Sequence, residues 1–252
     1  MIGVIGGSGV YKLTELADSI KLKKVKTSYG EDVDISILTV DEKEIAFISR
    51  HSSNHSLPPH MINYRVNIAA LKSIGVDKII ATNSVGSLNK DISPGDIAIA
   101  TNFIDFTKNR PTSFYDDKVV HVDVTEPYCS KINNLISSKF NVKKGVYVCT
   151  EGPRFESAAE IRMFEMLGGD MVGMTGLPEA VLAREKEICY SSLCLVSNYA
   201  AGISDDKLTI DEVFEIVEIK KEELNSMIYK IIKTIPNEWD CDCLNSLNGA
   251  EV

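Results

Sequence analysis

The feature that most restricts how this chain can fold is a series of short, almost uninterrupted apolar runs. They lie at Ile2 to Ile5, Val33 to Val40, Glu44 to Ser49, Lys78 to Ala81, Ile97 to Ala100, Val146 to Cys149 and Leu193 to Ser197. Runs of this length with little polar alternation suit strands covered on both faces. Between them the period changes. Ile62, Val66, Ala69, Ala70 and Ile74 share one helical face, and Glu156 to Leu167 and Leu177 to Glu187 can each form a helix. From Ile210, the positions Val213, Phe214, Val217, Leu224, Ile228 and Ile231 describe a long closing amphipathic helix. Such alternation predicts an α/β fold, and the absence of any linker, repeat or low-complexity tract predicts one domain.

Composition excludes several roles. At 252 residues the chain can bury a substantial core, and a net charge of -9 argues against a nucleic-acid binder, which needs a basic face. No segment approaches the roughly 18 apolar residues of a membrane span, and the opening apolar run is too short and lacks the basic flank of a signal peptide. A cytoplasmic protein without membrane contact is expected. Cys129, Cys149, Cys189 and Cys194 sit in apolar or strand-like surroundings and are expected as buried free thiols. Cys241 and Cys243 form a Cys-Asp-Cys pair in a polar tail, where a disulfide, a metal contact or no role all remain open, though not a catalytic one.

The residues able to carry chemistry gather at strand ends. Gly6-Gly7-Ser8-Gly9 follows the first run but misses the dinucleotide fingerprint, whose third glycine would fall at Lys12. What it keeps is small bulk, which lets backbone N–H groups and the Ser8 hydroxyl approach an anion; it also suits a plain turn. The stretch SRHSSNHSLPPHMINYR places Arg50 and His51 after a strand, with His55 and His60 beyond. Its prolines and spacing do not form a zinc-binding helix, and Arg50 with His51 is better read as an anion clamp, with structural ion pairing of Arg50 as the alternative. ATNSVGSL, TEGPRFES and VGMTGLPE are each expected to end a strand, where ligands of α/β sheets collect. Phe155 suits a flat ring and Glu156 the N–H groups on its edge.

In order, GGSG, SRH, INYR, VGSL with PGD, EGPRFE, VGMTGLPE and VSNYAAG resemble the purine nucleoside phosphorylases of the methylthioadenosine phosphorylase type. The resemblance runs from Ile2 to about Ile232, giving a phosphorylase domain over 1–236 and a polar tail over 237–252. It implies a single domain with a central mixed β-sheet flanked by helices, a homotrimer or a hexamer made as a dimer of trimers, no cofactor and no metal. A purine nucleoside and inorganic phosphate are the implied substrates. Ser8, Arg50, His51, Asn83, Ser84 and Thr175 would hold phosphate, although Asn83 stands where many relatives have Thr. Met174 would lie under the ribose and Phe155 against the base. His121 would reach the 5′ end of the sugar in a neighbouring subunit, while Ile210 and Val213 would line the pocket for the 5′ substituent. With phosphate as nucleophile fixed by Arg50, no covalent intermediate is required.

The base-reading position falls in VSNYAAG. Adenine-cleaving relatives place two aspartates there, one residue apart, whereas this chain has Asn198 and Ala200. A carboxamide donates to a 6-oxo group and accepts from N7–H, and Glu156 can accept the N1–H of hypoxanthine or guanine. Phosphorolysis of inosine, guanosine or 5′-methylthioinosine in purine salvage is therefore expected. Methylthioadenosine phosphorylase is the alternative, and a non-catalytic nucleotide-binding protein a remote one. Arg50→Ala is expected to raise the phosphate requirement while leaving the fold intact.

Overall fold

The computed structural model describes residues 1–7, 10, 15–52, 57–204 and 209–251. Nine strands are present among them: β1 (Ile2–Gly6), β2 (Ser19–Val25), β3 (Val33–Val40), β4 (Lys43–Ser49), β5 (Lys78–Ser87), β6 (Ile97–Phe106), β7 (Lys143–Thr150), β8 (Met171–Gly173) and β9 (Cys189–Tyr199). Five α-helices join them: α1 (Tyr64–Ser73), α2 (Ser130–Lys139), α3 (Ala158–Met166), α4 (Glu179–Glu185) and α5 (Ile210–Thr234).

The strands make one mixed sheet in the order β2-β3-β4-β1-β5-β8-β7-β6-β9. Because β9 also pairs with β5, the last five strands curl back on themselves into a closed ring. β1 lies parallel to β4 and β5, and β5 parallel to β9, so these four strands point the same way. Their covered faces explain the uninterrupted apolar runs: every residue of β1 is buried, and so is nearly all of β9. Ile68 and Leu71 of α1 and Leu182 of α4 pack with Ile5, Ile48 and Ile79. A separate apolar layer joins Ile132 and Ile136 of α2 and the α5 residues Val217, Ile228 and Ile231 to Val4, Ile45 and Leu193.

Several expectations need adjustment. ATNSVGSL ends a strand as expected, but the strand is longer than Lys78 to Ala81: β5 runs through Ser87 and carries Asn83 and Ser84 in its body. The strand tolerates these polar residues because they are placed at a cavity, and its pairing with β9 shifts register between Val85 and Gly86, a local irregularity that re-aims side chains. Glu156 precedes Ser157, the N-cap of α3, so it is not part of that helix; Ser157 and Glu160 form a reciprocal capping box. On α5, Val213 and Val217 are buried but Phe214 is exposed, because one residue's rotation carries it off the apolar stripe. β2 had no apolar run to announce it: it is an edge strand reading SIKLKKV, and its lysines discourage pairing with another chain.

Candidate active site

The ends of β1 and β4, the middle of β5, and the segments after β7 and β8 converge on a cavity of about 210 Å³. It is bordered by Arg50, His51, Asn83, Ser84 and Thr175 and, further along, by Phe155, Glu156, Met174, Asn198, Ala200, Ile210 and Val213. Residues as far apart in the chain as Gly7 and Val213 are thus brought together. Ser8 and His55 lie outside the described residues. His121 does not border this cavity; it is exposed on the segment between β6 and α2, with its backbone N–H donating to Ala250 O at 2.8 Å.

At one end, Arg50 is buried and forked onto Glu179, its Nε donating to Oε2 at 2.8 Å and its Nη2 to Oε1 at 2.7 Å. Nη1 donates to the Thr82 carbonyl at 2.6 Å. Burial opposes the charge, but the paired carboxylate outweighs it and holds the guanidinium's pKa above its ordinary value. Arg50 is therefore both a member of a buried ion pair and one of the residues that line the cavity. Glu179 itself is braced by the Tyr190 hydroxyl at 2.7 Å. Gly7 is needed beside them: a Cβ there would stand 2.9 Å from the Thr82 carbonyl oxygen and 3.0 Å from Arg50 Nη1.

Asn83 and Thr175 are linked. The Thr175 hydroxyl donates to Asn83 Oδ1 at 2.7 Å, and Asn83 Nδ2 donates to Ser192 Oγ at 2.7 Å. The turn carrying Thr175 is fixed from below, because the N–H groups of Thr175 and Gly176 both donate to the buried Tyr147 hydroxyl, at 3.3 and 3.2 Å. Ser84 Oγ, in contrast, is buried and has no hydrogen-bond partner among the described residues. A buried hydroxyl left in this state costs free energy on the order of 1–3 kcal/mol unless a ligand satisfies it. His51 Nδ1 lies 2.9 Å from the Leu57 carbonyl, which can only accept, so that nitrogen carries the proton.

At the other end, Asn198 is held from two sides. Its Nδ2 donates to the Tyr199 carbonyl at 2.8 Å, while its Oδ1 accepts from the Ser197 hydroxyl at 2.8 Å. The carbonyl can only accept, which fixes which amide atom faces it and so the orientation of the whole group. Glu156 accepts from the Thr150 hydroxyl at 2.6 Å, and burial raises its pKa above the usual carboxylate value. Gly152, at φ +66°, lets Met174 pack close, since a Cβ there would meet its sulfur at 2.7 Å. Phe155 is half-exposed over this part of the cavity. Chemically, one end offers positive charge and hydroxyls to an anion, and the other a fixed amide, a carboxyl and a ring face to a flat heterocycle.

Glu179, Thr82, Ser197 and Tyr147 were not singled out in the sequence. Glu179 stands inside VGMTGLPE, yet nothing local marks a partner 129 positions away.

The chain is similar to known proteins over its whole length. The sequence matches the Phosphorylase superfamily over residues 1–233. It is 56% identical over 253 residues to a probable S-methyl-5′-thioinosine phosphorylase of Methanothermobacter thermautotrophicus, covering 100% of this chain and 90% of the relative. It is 49% identical over 263 residues to a 6-oxopurine nucleoside phosphorylase of Pyrococcus furiosus, covering 99% and 98% of the two chains. Among solved structures, a methylthioadenosine phosphorylase from Schistosoma mansoni in complex with adenine superimposes with a TM-score of 0.91 at 26% identity, covering 99% of this chain and 98% of that one.

Proposed function

The chain belongs to the phosphorylase superfamily, and from that premise we propose that it cleaves 6-oxopurine nucleosides, 5′-methylthioinosine and inosine among them, with inorganic phosphate as co-substrate. The observation that carries this reading is a single cavity in which buried Arg50 and the unpartnered Ser84 hydroxyl face one end and the oriented Asn198 amide the other.

Phosphate is held by Arg50, His51, Ser84 and Asn83, whose second Nδ2–H remains after the bond to Ser192. Thr175 joins them by turning its hydroxyl from Asn83 to the phosphate. A phosphate oxygen forms a bond to C1′ as the C1′–N9 bond breaks, and the electron pair of that bond leaves with the purine. Positive charge grows on the ribose, which the phosphate anion offsets from below. The departing base is stabilised when a proton reaches N7, where Asn198 Oδ1 can accept the resulting N–H, while Glu156 accepts from N1–H. The amide N–H of Asn198 left after Tyr199 faces the 6-oxo group, which a carboxylate would repel. Met174 packs beneath the sugar, and Phe155 covers the base.

Ile210 and Val213 suit an apolar 5′ substituent. His121 completes the 5′ region of a neighbouring copy in a trimer, or in a hexamer built from two trimers. Release of a free base and a sugar phosphate supports reading the enzyme as one of purine salvage, working in the cytoplasm.

The test is turnover of inosine, 5′-methylthioinosine, adenosine and 5′-methylthioadenosine, each with and without phosphate. Phosphate-dependent release of hypoxanthine in preference to adenine is expected. Preference for the adenine pair would make methylthioadenosine phosphorylase the better reading, phosphate-independent release would indicate a hydrolase, and no release from any nucleoside would leave a binding protein.

A further inference from the structure

We infer that Cys129, Cys189, Cys241 and Cys243 form a structural zinc site that fastens the C-terminal tail to the core. The four sulfurs come from distant parts of the chain: Cys129 is the N-cap of α2, Cys189 opens β9, and Cys241 and Cys243 belong to the tail, where a short 3₁₀ turn (Asp242–Asn245) begins. All four Sγ atoms lie within 4.8 Å of one another, with Cys129 and Cys241 3.6 Å apart. A tetrahedral zinc with Zn–S bonds of about 2.3 Å sets its sulfurs about 3.8 Å apart, so the cluster already has the size of the coordination shell. An all-sulfur set of four is soft and closed, the donor set of a structural zinc and not of a catalytic one.

Two of the four sulfurs accept hydrogen bonds. Trp239 Nε1 donates to Cys189 Sγ at 3.2 Å, and Arg184 Nη1 to Cys243 Sγ at 3.4 Å. Lys131 and Lys78 place their ammonium groups 4.8 and 5.6 Å from the Trp239 ring centre. Four thiolates around one divalent zinc leave a net charge of about −2, which the Arg184 guanidinium and the Trp239 N–H, each at a sulfur, partly offset. A disulfide would select one partner for each sulfur and would have little use for the guanidinium. Binding converts four thiols to thiolates, and the released protons pass to the solvent.

The site lies away from the cavity. Cys189 and Asn198 stand near opposite ends of β9, about 30 Å apart at the rise of an extended strand. What the metal would secure is the tail and the segment beneath it. Ser246 Oγ donates to Arg184 O at 2.6 Å, Val120 bridges to Glu251, Lys118 pairs with the Glu251 carboxylate, and the His121 N–H binds Ala250 O.

The experiment uses the full chain, produced with zinc in the medium and purified without chelator. Plasma mass spectrometry is expected to find stoichiometric zinc, released as a mercurial titrates the thiols and read with a pyridylazo dye. Replacing both Cys241→Ser and Cys243→Ser should lower bound zinc at least about tenfold, Trp239→Phe should weaken zinc affinity about tenfold, and Cys149→Ser should change neither. Should the double variant not fold, the wild-type chain loaded with Co²⁺ should show the intense visible bands of tetrahedral cobalt thiolate. The inference is overturned if the reduced wild-type chain takes up neither Zn²⁺ nor Co²⁺, if iron fills the site instead, or if intact mass and thiol counting find the four cysteines joined as disulfides.

Discussion

The two ends of the cavity are built differently. Around Arg50 almost every polar group is already engaged: the guanidinium with Glu179 and Thr82, Asn83 with Ser192, Thr175 with Asn83. All of these residues but the intermediate Ser84 beside them are buried. Toward the base and sugar the wall opens, with Phe155 39% and Ile210 52% exposed. The first end holds its charge in place before any ligand arrives, so anion binding requires little reorganisation. The second depends on the ligand, and on whatever covers Phe155 and Ile210, to complete it.

The largest effect should come from breaking the closed end. Glu179→Ala leaves a buried guanidinium unpaired and is expected to cost about 3–5 kcal/mol of stability, seen as a lowered Tm, together with loss of phosphate saturation. For the same reason Arg50→Ala is expected to destabilise the fold, against the expectation drawn from sequence: the residue is 2% exposed and its removal strands Glu179. A Glu179→Ala protein with wild-type Tm and phosphate KM would show that this end is no more fixed than the other.

Asn198→Asp tests whether the open end has its own rigid element. It should lower the ratio of inosine to adenosine kcat/KM about a hundredfold, because buried polar mismatches are heavily discriminated. Equal ratios in the two proteins would remove Asn198 from base reading.

Glu156 gives a smaller, pH-dependent effect. Its folded pKa is raised by burial, so the folded state binds the proton more tightly than the unfolded, and stability declines as pH rises from the unfolded pKa through the folded one. Activity on inosine moves the other way, since the carboxylate is the acceptor. The acid limb of kcat/KM should sit above an ordinary glutamate pKa and be absent in Glu156→Gln. The smallest effect belongs to Ile210→Ala, expected to shift the preference for a methylthio over a hydroxyl 5′ group by about 1 kcal/mol in kcat/KM and to leave Tm unchanged, as the side chain is largely exposed.

The contrast also explains what could be read from sequence. The α/β class followed from the buried strands, and Arg50, His51, Phe155 and Glu156 from the chemistry of their motifs, whereas Asn83, Ser84, Thr175, Met174, Asn198, Ala200, Ile210 and Val213 came only with the resemblance to a known family. Partnerships across the sheet had no such signature: Arg50 with Glu179 and Asn83 with Ser192 are fixed only by the strand order. α2 escaped notice because Ile132, Asn133 and Ile136 are its only buried positions, too few to set a period. The length of β5 was underestimated because its polar middle reads as a loop when the facing cavity is unknown.

The contact between Asn198 and the Tyr199 carbonyl bears on how such a pocket can change over generations. That carbonyl belongs to the main chain, so no replacement of a side chain removes it. A carboxylate arriving at position 198 first meets an acceptor, at a cost on the order of 1–3 kcal/mol, before any new ligand can repay it. Single-step drift toward an aspartate is therefore penalised even where a different base is plentiful. A lineage crossing between the two preferences needs an accompanying change that moves the strand end or shares the proton, and Ala200, which lines the cavity beside Asn198, is a position where that second step can fall.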